Sequence, residues 1–214
     1  MNPTLTIAAF TVGGLVFGVL ADRLSVRWPA HEADYLPRGV DWRTLLLALA
    51  GGVVFGGLVS RWSDVTSLVL LGVYCAALLV LLATDLDQKL LPDLITLPLI
   101  AYSGILLVAG WSPLLAGKEL GLASGIAAGI AAPVFLFVTD RLLRGDLGDG
   151  DLKLAVSIGL MSGISLLVYG LLIATICFSA ILLVLIAVHR IGMRTAVPFG
   201  PVLIATGFVA VLIG

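Results

Sequence analysis

The stretch LAVSIGLMSGISLLVYGLLIATICFSAILLVLIAV, residues 154–188, decides how this chain folds, because it runs for 35 residues without a charge. A membrane-crossing helix needs about 20 predominantly apolar residues at 1.5 Å each. One straight helix over 154–188 would reach roughly 50 Å, well past a hydrocarbon core of about 30 Å. Two full-length helices do not fit comfortably either. A short segment followed by a full one does, with the break where Gly and Ser cluster at Met161-Ser162-Gly163-Ile164-Ser165.

Outward from this stretch, charges bound six further uncharged intervals, at 2–21, 44–60, 65–84, 94–117, 120–139 and 195–214. Each fits one spanning helix, which brings the count to about eight transmembrane segments in an all-α protein. The placement of Lys and Arg tests that count. With eight segments and the N-terminus outside, the inside loops hold Arg23, Arg27, Arg38, Arg43, Lys89, Arg141, Arg144, Lys153, Arg190 and Arg194, and only Arg61 and Lys118 fall outside. Ten against two is the bias expected of short cytoplasmic loops. Seven segments would move Arg190 and Arg194 outside and weaken it.

Composition agrees: 60% of residues are hydrophobic, 12% are charged, and mean hydropathy is +1.18, far from the balance of soluble domains. The chain opens Met1-Asn2-Pro3 and stays uncharged to Asp22-Arg23, which suits a retained first helix better than a cleaved signal peptide. The expectation is a single polytopic domain over 1–214, in the lipid bilayer and without linkers or repeats. No basic platform points to nucleic acid. Cys75 and Cys177 lie in apolar stretches and read as small buried hydrophobes, neither a disulfide framework nor a metal site. His31 and His189 sit at segment edges and read as solvated. The pairs Gly51-Gly52 and Gly56-Gly57 let helices approach closely in lipid.

Two acidic clusters stand apart. The first, Asp85-Leu86-Asp87-Gln88-Lys89-Leu90-Leu91-Pro92-Asp93, sits where the third segment reaches the cytoplasm; the second, Gly145-Asp146-Leu147-Gly148-Asp149-Gly150-Asp151-Leu152-Lys153, sits where the sixth leaves it, with 94–117 and 120–139 crossed in between. Helix parity puts both at the same bilayer face. Carboxyl groups at a helix end in lipid are costly and tend to mark function. Two brought close together cannot both ionise easily, so one keeps its proton and the pair titrates in split steps. Such a pair can take a proton from water while donating one to a carbonyl, which hydrolyses a peptide without a covalent intermediate. A solvated acidic loop and a cation site are the competing readings. A calcium loop would need a distal bidentate Glu, which Gly145–Leu154 lacks.

These residues resemble a known family. Gly148-Asp149-Gly150-Asp151-Leu152-Lys153-Leu154 looks like the Gly-x-Gly-Asp-x-Lys-Leu signature of the prepilin peptidases, or type IV leader peptidases. Asp85 through Pro98 is similar to the family's first-aspartate segment, Pro198-Phe199-Gly200-Pro201 to its last-helix motif, and Gly18 through Pro29 to its N-terminal stretch, with Asp22 in place of an Asn. The resemblance implies a GxGD-type aspartyl protease bundle in the inner membrane. Its catalytic acids would be Asp85 and Asp151, at the cytoplasmic face, cutting the leader from prepilins or pseudopilins after a glycine. Asp149 falls on the variable position of the signature. Gly148, Gly150, Lys153, Asp87 and Asp93 match family positions and take supporting roles, with no metal ligands among them.

One departure is plain. Many members carry paired CxxC motifs that bind zinc in a larger first cytoplasmic domain, and they also N-methylate the new terminus. Residues 22–43 contain no cysteine. No cofactor is expected for proteolysis, and S-adenosylmethionine enters only if methyltransferase activity is retained. A transporter using the acidic clusters for cations or protons is the non-enzymatic alternative, but such sites usually lie mid-membrane. Oligomeric state is not legible from the sequence.

Overall fold

The computed structural model describes residues 3–28, 39–143, 148–187 and 199–214, and these are helical with connecting turns. The helices are α1 (Pro3–Ser25), α2 (Trp42–Arg61), α3 (Val65–Gln88), α4 (Asp93–Val108), α5 (Gly121–Leu143), α6 (Asp149–Ala187) and α7 (Gly200–Ile213). Five of them, α1, α2, α3, α5 and α6, are long and apolar enough to cross a membrane. With the family assignment below, this makes the chain an integral membrane protein.

The helix starts follow ordinary capping chemistry. Asp41 accepts hydrogen bonds from the Arg43 and Thr44 amides at 3.1 Å each, and the Thr44 hydroxyl returns to the Asp41 amide, closing a capping box on α2. Asp64 caps α3 by accepting from the Ser67 amide at 2.8 Å. Hydrogen bonds to that exposed carboxyl hold its pKa below the ordinary 3.8. α3 ends at Lys89, which is left-handed at φ 54°.

α3 is the central helix. Leu71, Tyr74, Cys75, Leu78, Leu79 and Leu81 on it are all buried, Val69 and Val73 face outward, and the last turns from Leu81 to Asp85 are buried residue after residue. α1 and α2 both pack directly against it. A side chain at Gly14, Gly18 or Gly51 would strike the backbone of the facing helix, so α1 and α2 lie almost backbone to backbone. In lipid, where no hydrophobic drive separates helix from tail, such small-residue contact is a main source of association. Gly56 leaves room in the same interface for the Thr11 side chain.

The uncharged stretch breaks where Gly and Ser cluster. Gly163 adopts φ 67°, ψ 178°, a conformation open in practice only to glycine, and divides α6 into arms 149–162 and 164–187. The Ser124 hydroxyl accepts the Ile164 amide at 2.9 Å, and the Ser112 hydroxyl donates to the Met161 carbonyl at 3.3 Å. One amide and one carbonyl freed at the break are thereby satisfied. The second arm folds back. Gly170 lies against Thr206 and Leu166 against Gly214, whereas Ile158 of the first arm lies beside Gly207. The first arm therefore runs with α7 and the second against it. The first arm is clamped to α5, where Gly159 meets the Ala128 backbone, and to α4, where the Ser103 and Ser157 hydroxyls are 2.9 Å apart.

Several boundaries differ from the intervals between charges. α4 stops at Val108 instead of filling 94–117: Gly110 is left-handed at φ 70°, its amide reaches the Leu107 carbonyl, and the Trp111 amide reaches that of Leu106. This is a Schellman stop. At 16 residues α4 is about 24 Å long, and α7 with 14 about 21 Å, so both fall short of a full crossing. α1, α3 and α5 run on past the charges that ended their intervals, so Asp22, Asp85, Asp87, Asp140 and Arg141 are helical. Pro29, His31, Arg38, Arg144, Gly145, Asp146, His189, Arg190, Arg194 and Pro198 lie outside the described residues.

Candidate active site

Asp85 occupies the last turn of α3. Because that helix is enclosed to its end, the residue is only 5% exposed, and its Oδ2 is buried with no hydrogen-bond partner. Asp151 sits in the first turn of α6, half-buried, where its amide donates to the Gly148 carbonyl at 3.0 Å. The break at Gly163 does not separate them, since Asp151 is carried on the first arm. The two acids lie at the same end of the bundle and close enough to act on each other electrostatically. Their helix backbones stay apart: among the described residues no Cα of α3 comes within 8 Å of one of α6. The acids are therefore carried on helix ends whose backbones stand apart, leaving a gap between the two helices.

α7 closes one side of this gap. A Cβ built on Gly200 would stand 2.8 Å from Cγ and Oδ2 of Asp85 and 2.9 Å from Oδ1. The backbone at the start of α7 is thus pressed directly on the carboxyl group, and only glycine leaves that space. The turn from α3 to α4 closes another side. There Leu91 Cβ would be 2.7 Å from a Cβ on Gly150.

The remaining sequence-derived positions separate into two ion pairs. Asp87 accepts from Arg43 at 2.8 Å, joining α3 to α2 behind Asp85, and Arg43 also lies over the Trp42 ring at 5.6 Å. Asp93 accepts from Lys153 at 2.6 Å, joining α4 to α6. Lys153 is therefore engaged with Asp93 and not with either member of the pair. Gly148 lies beside the Asp151 carboxyl, 4.0 Å from Oδ2 to a built Cβ. Asp149 is exposed.

Three participants were invisible to sequence reading. By sequence Arg43 reads only as an inside charge. Leu91 carried no signal. Gly200 belonged to a recognised motif, but nothing in its spacing says that it meets Asp85. Nearby, Asp22 is 1% exposed and accepts from the Thr44 hydroxyl at 2.8 Å, while Gln88 donates to the Ser25 carbonyl at 2.8 Å. These bonds lock the ends of α1, α2 and α3 together at the level of the site.

Comparison with known proteins places this geometry in context. The Type IV leader peptidase family model matches residues 72–188, which span both acids. The chain is similar to the prepilin leader peptidase/N-methyltransferase of Burkholderia pseudomallei (strain 1026b), 33% identical over 174 residues, or 79% of this chain and 54% of that protein. It is similar to proteins of the same description from Pseudomonas putida, at 32% over 90% of this chain and 60% of that one, and from Dickeya chrysanthemi, at 34% over 86% and 64%. The chain thus spans little more than half the length of these relatives. No solved structure matches it.

Proposed function

The chain belongs to the type IV leader peptidase family, and from that premise we propose that it is a membrane aspartic endopeptidase cutting the leader from prepilins or pseudopilins. Asp85 and Asp151 are its catalytic pair. The observation that carries this reading is their convergence from separate helices onto one gap, with an unpartnered buried oxygen on Asp85.

In the reaction, one carboxylate takes a proton from a water in the gap as its oxygen adds to the scissile carbonyl carbon. The other carboxyl, holding a proton, donates it to the carbonyl oxygen. Proton return to the amide nitrogen then lets the C–N bond break, leaving a carboxylic acid and a new amine terminus. Gly148, where an added Cβ would meet nothing closer than 4.0 Å, leaves room for the substrate backbone to approach, whereas the absent side chain of Gly150 makes room for Leu91.

The orientation supported best has eight segments, the N-terminus outside and the site at the cytoplasmic face of the inner membrane. Arg23, Arg27, Arg43, Lys89, Arg141 and Lys153 lie at the site end, while Arg61 bonds to the Gly214 carbonyl and Lys118 to the Leu114 carbonyl at the other. A second reading adds methylation of the new terminus, because the similar proteins are described as N-methyltransferases as well. Incubation with labelled S-adenosylmethionine and mature pilin separates the two.

Co-expression with a prepilin tests the main reading. The intact chain should convert the precursor to its shorter form, and Asp85→Asn or Asp151→Asn should each stop conversion. Conversion at the parent rate by either variant would remove that residue from the pair.

A further inference from the structure

We propose that Lys153 and Asp93 are positioning residues, whose ion pair clasps the first turn of α6 to the turn after Asp85 and so sets the separation of the two carboxyl groups. The inference rests on the reading of Asp85 and Asp151 as the catalytic pair. It begins from the gap. Because α3 and α6 make no close backbone approach among the described residues, their own packing does not fix how far apart the acids stand. α7 packs on both helices, and the turn after Asp85 adds a second bridge at the level of the acids.

The segment 89–93 is built to do so. Lys89 turns the chain in the left-handed region, and its amide bonds at 2.9 Å to the carbonyl of Asp85 itself. Pro92 fixes its own φ at -66° and caps α4, its carbonyl accepting from the Ile95 and Thr96 amides. The turn is therefore tied rigidly to Asp85. Its outer edge touches α6 twice, Leu91 against Gly150 and Asp93 against Lys153 at 2.6 Å. Gly150 and Lys153 flank Asp151 in one helical turn, so this pair of contacts grips the backbone that carries the second acid.

The ion pair is also well suited to test. Lys153 is 33% and Asp93 58% exposed, and pairs so exposed contribute little to stability. Removing it should leave the protein folded and disturb geometry alone. Lys153→Met and Asp93→Asn should each lower kcat for prepilin by about tenfold to a hundredfold, as a misplacement near 1 Å does, with KM little changed. The double variant should be no worse than either single, and the exchanged pair Asp93→Lys with Lys153→Asp should recover most of the loss. A parent-like kcat in either single variant overturns the proposal, as does a loss confined to KM that the exchange does not recover, which would make Lys153 a substrate contact.

A second measurement does not depend on peptidase activity. Spin labels at Leu90→Cys and Asp149→Cys, with Cys75 and Cys177 replaced by Ala, report the distance between the turn and α6. That distance should broaden or lengthen in Lys153→Met and return in the exchanged pair. An unchanged distribution overturns the latch. Parent-rate processing by Asp85→Asn would instead overturn the catalytic reading, whatever the labels show.

Discussion

Replacing Gly200 by Ala adds one methyl group directly against the Asp85 carboxyl. The new Cβ would lie 2.8 Å from Cγ and Oδ2 of Asp85, about 0.6 Å inside the 3.4 Å at which ordinary contact begins. Little can move to relieve this. The Asp85 backbone is held by the buried residues Leu81, Leu82, Ala83 and Thr84, and α7 is held farther along by the Trp62 indole, which donates to the Val211 carbonyl at 3.0 Å. The carboxyl must therefore rotate or retreat by a sizeable fraction of an ångström. A displacement near 1 Å costs about a hundredfold in rate, equivalent to roughly 2.7 kcal/mol of transition-state stabilisation. Overpacking should lower stability by about 1–3 kcal/mol. The assay is prepilin processing in proteoliposomes over a range of substrate, with thermal unfolding in detergent measured in parallel. The expectation is a folded protein whose kcat falls at least tenfold while KM changes little. A folded Gly200→Ala protein with the parent kcat would refute the reasoning that α7 sets the position of Asp85.

Gly163→Ala should cost about 1–3 kcal/mol from backbone strain alone, with added crowding because its Cβ would stand 2.8 Å from Leu115 Cδ2 and Ser124 Oγ. Unchanged thermal stability would mean that the break in α6 lies elsewhere. Arg43→Met removes the 2.8 Å ion pair to Asp87, which is 13% exposed, and should lower stability by about 1–2 kcal/mol; an unchanged melting temperature would contradict the tie between α2 and α3. Asp64→Ala should destabilise at pH 6. Because the folded-state pKa of Asp64 is lowered from 3.8, its contribution is present above that value and fades as pH falls through the lower one. A stability difference that does not narrow in acid would contradict the cap.

The architecture was legible to the extent that charges mark membrane edges. The intervals around α2 and α3 locate those helices closely, and the Gly-Ser cluster marks the break at Gly163, because an interrupted hydrogen-bond ladder in lipid needs glycine for the turn and hydroxyls for the freed groups. Charge bounds mislead where a helix continues beyond the bilayer. Asp22, Asp85 and Asp87 are helical because their backbone bonds remain satisfied there, and α3 carries Asp85 into an enclosed position. They mislead again where a helix ends without a charge. Gly110, with Pro113 after it, is the stop signal for α4, and it lies inside an uncharged run. At the site, parity was enough to bring Asp85 and Asp151 to one end. The partners of the supporting residues were not readable, because Arg43 with Asp87 and Lys153 with Asp93 are 44 and 60 residues apart and meet only through tertiary packing. The same holds for Gly200, whose role depends on a helix start 115 residues beyond Asp85.

The central claim is that two carboxyl groups act as one unit, and single-turnover processing of a purified prepilin tests it most directly. Asp85→Asn, Asp151→Asn and the double variant should all be folded and should lose rate by the same large factor, since removing either member of a unit removes the function of both. If one single variant keeps a substantial rate, or if the double variant is slower than either by the product of the separate losses, the two acids work independently and the account is wrong.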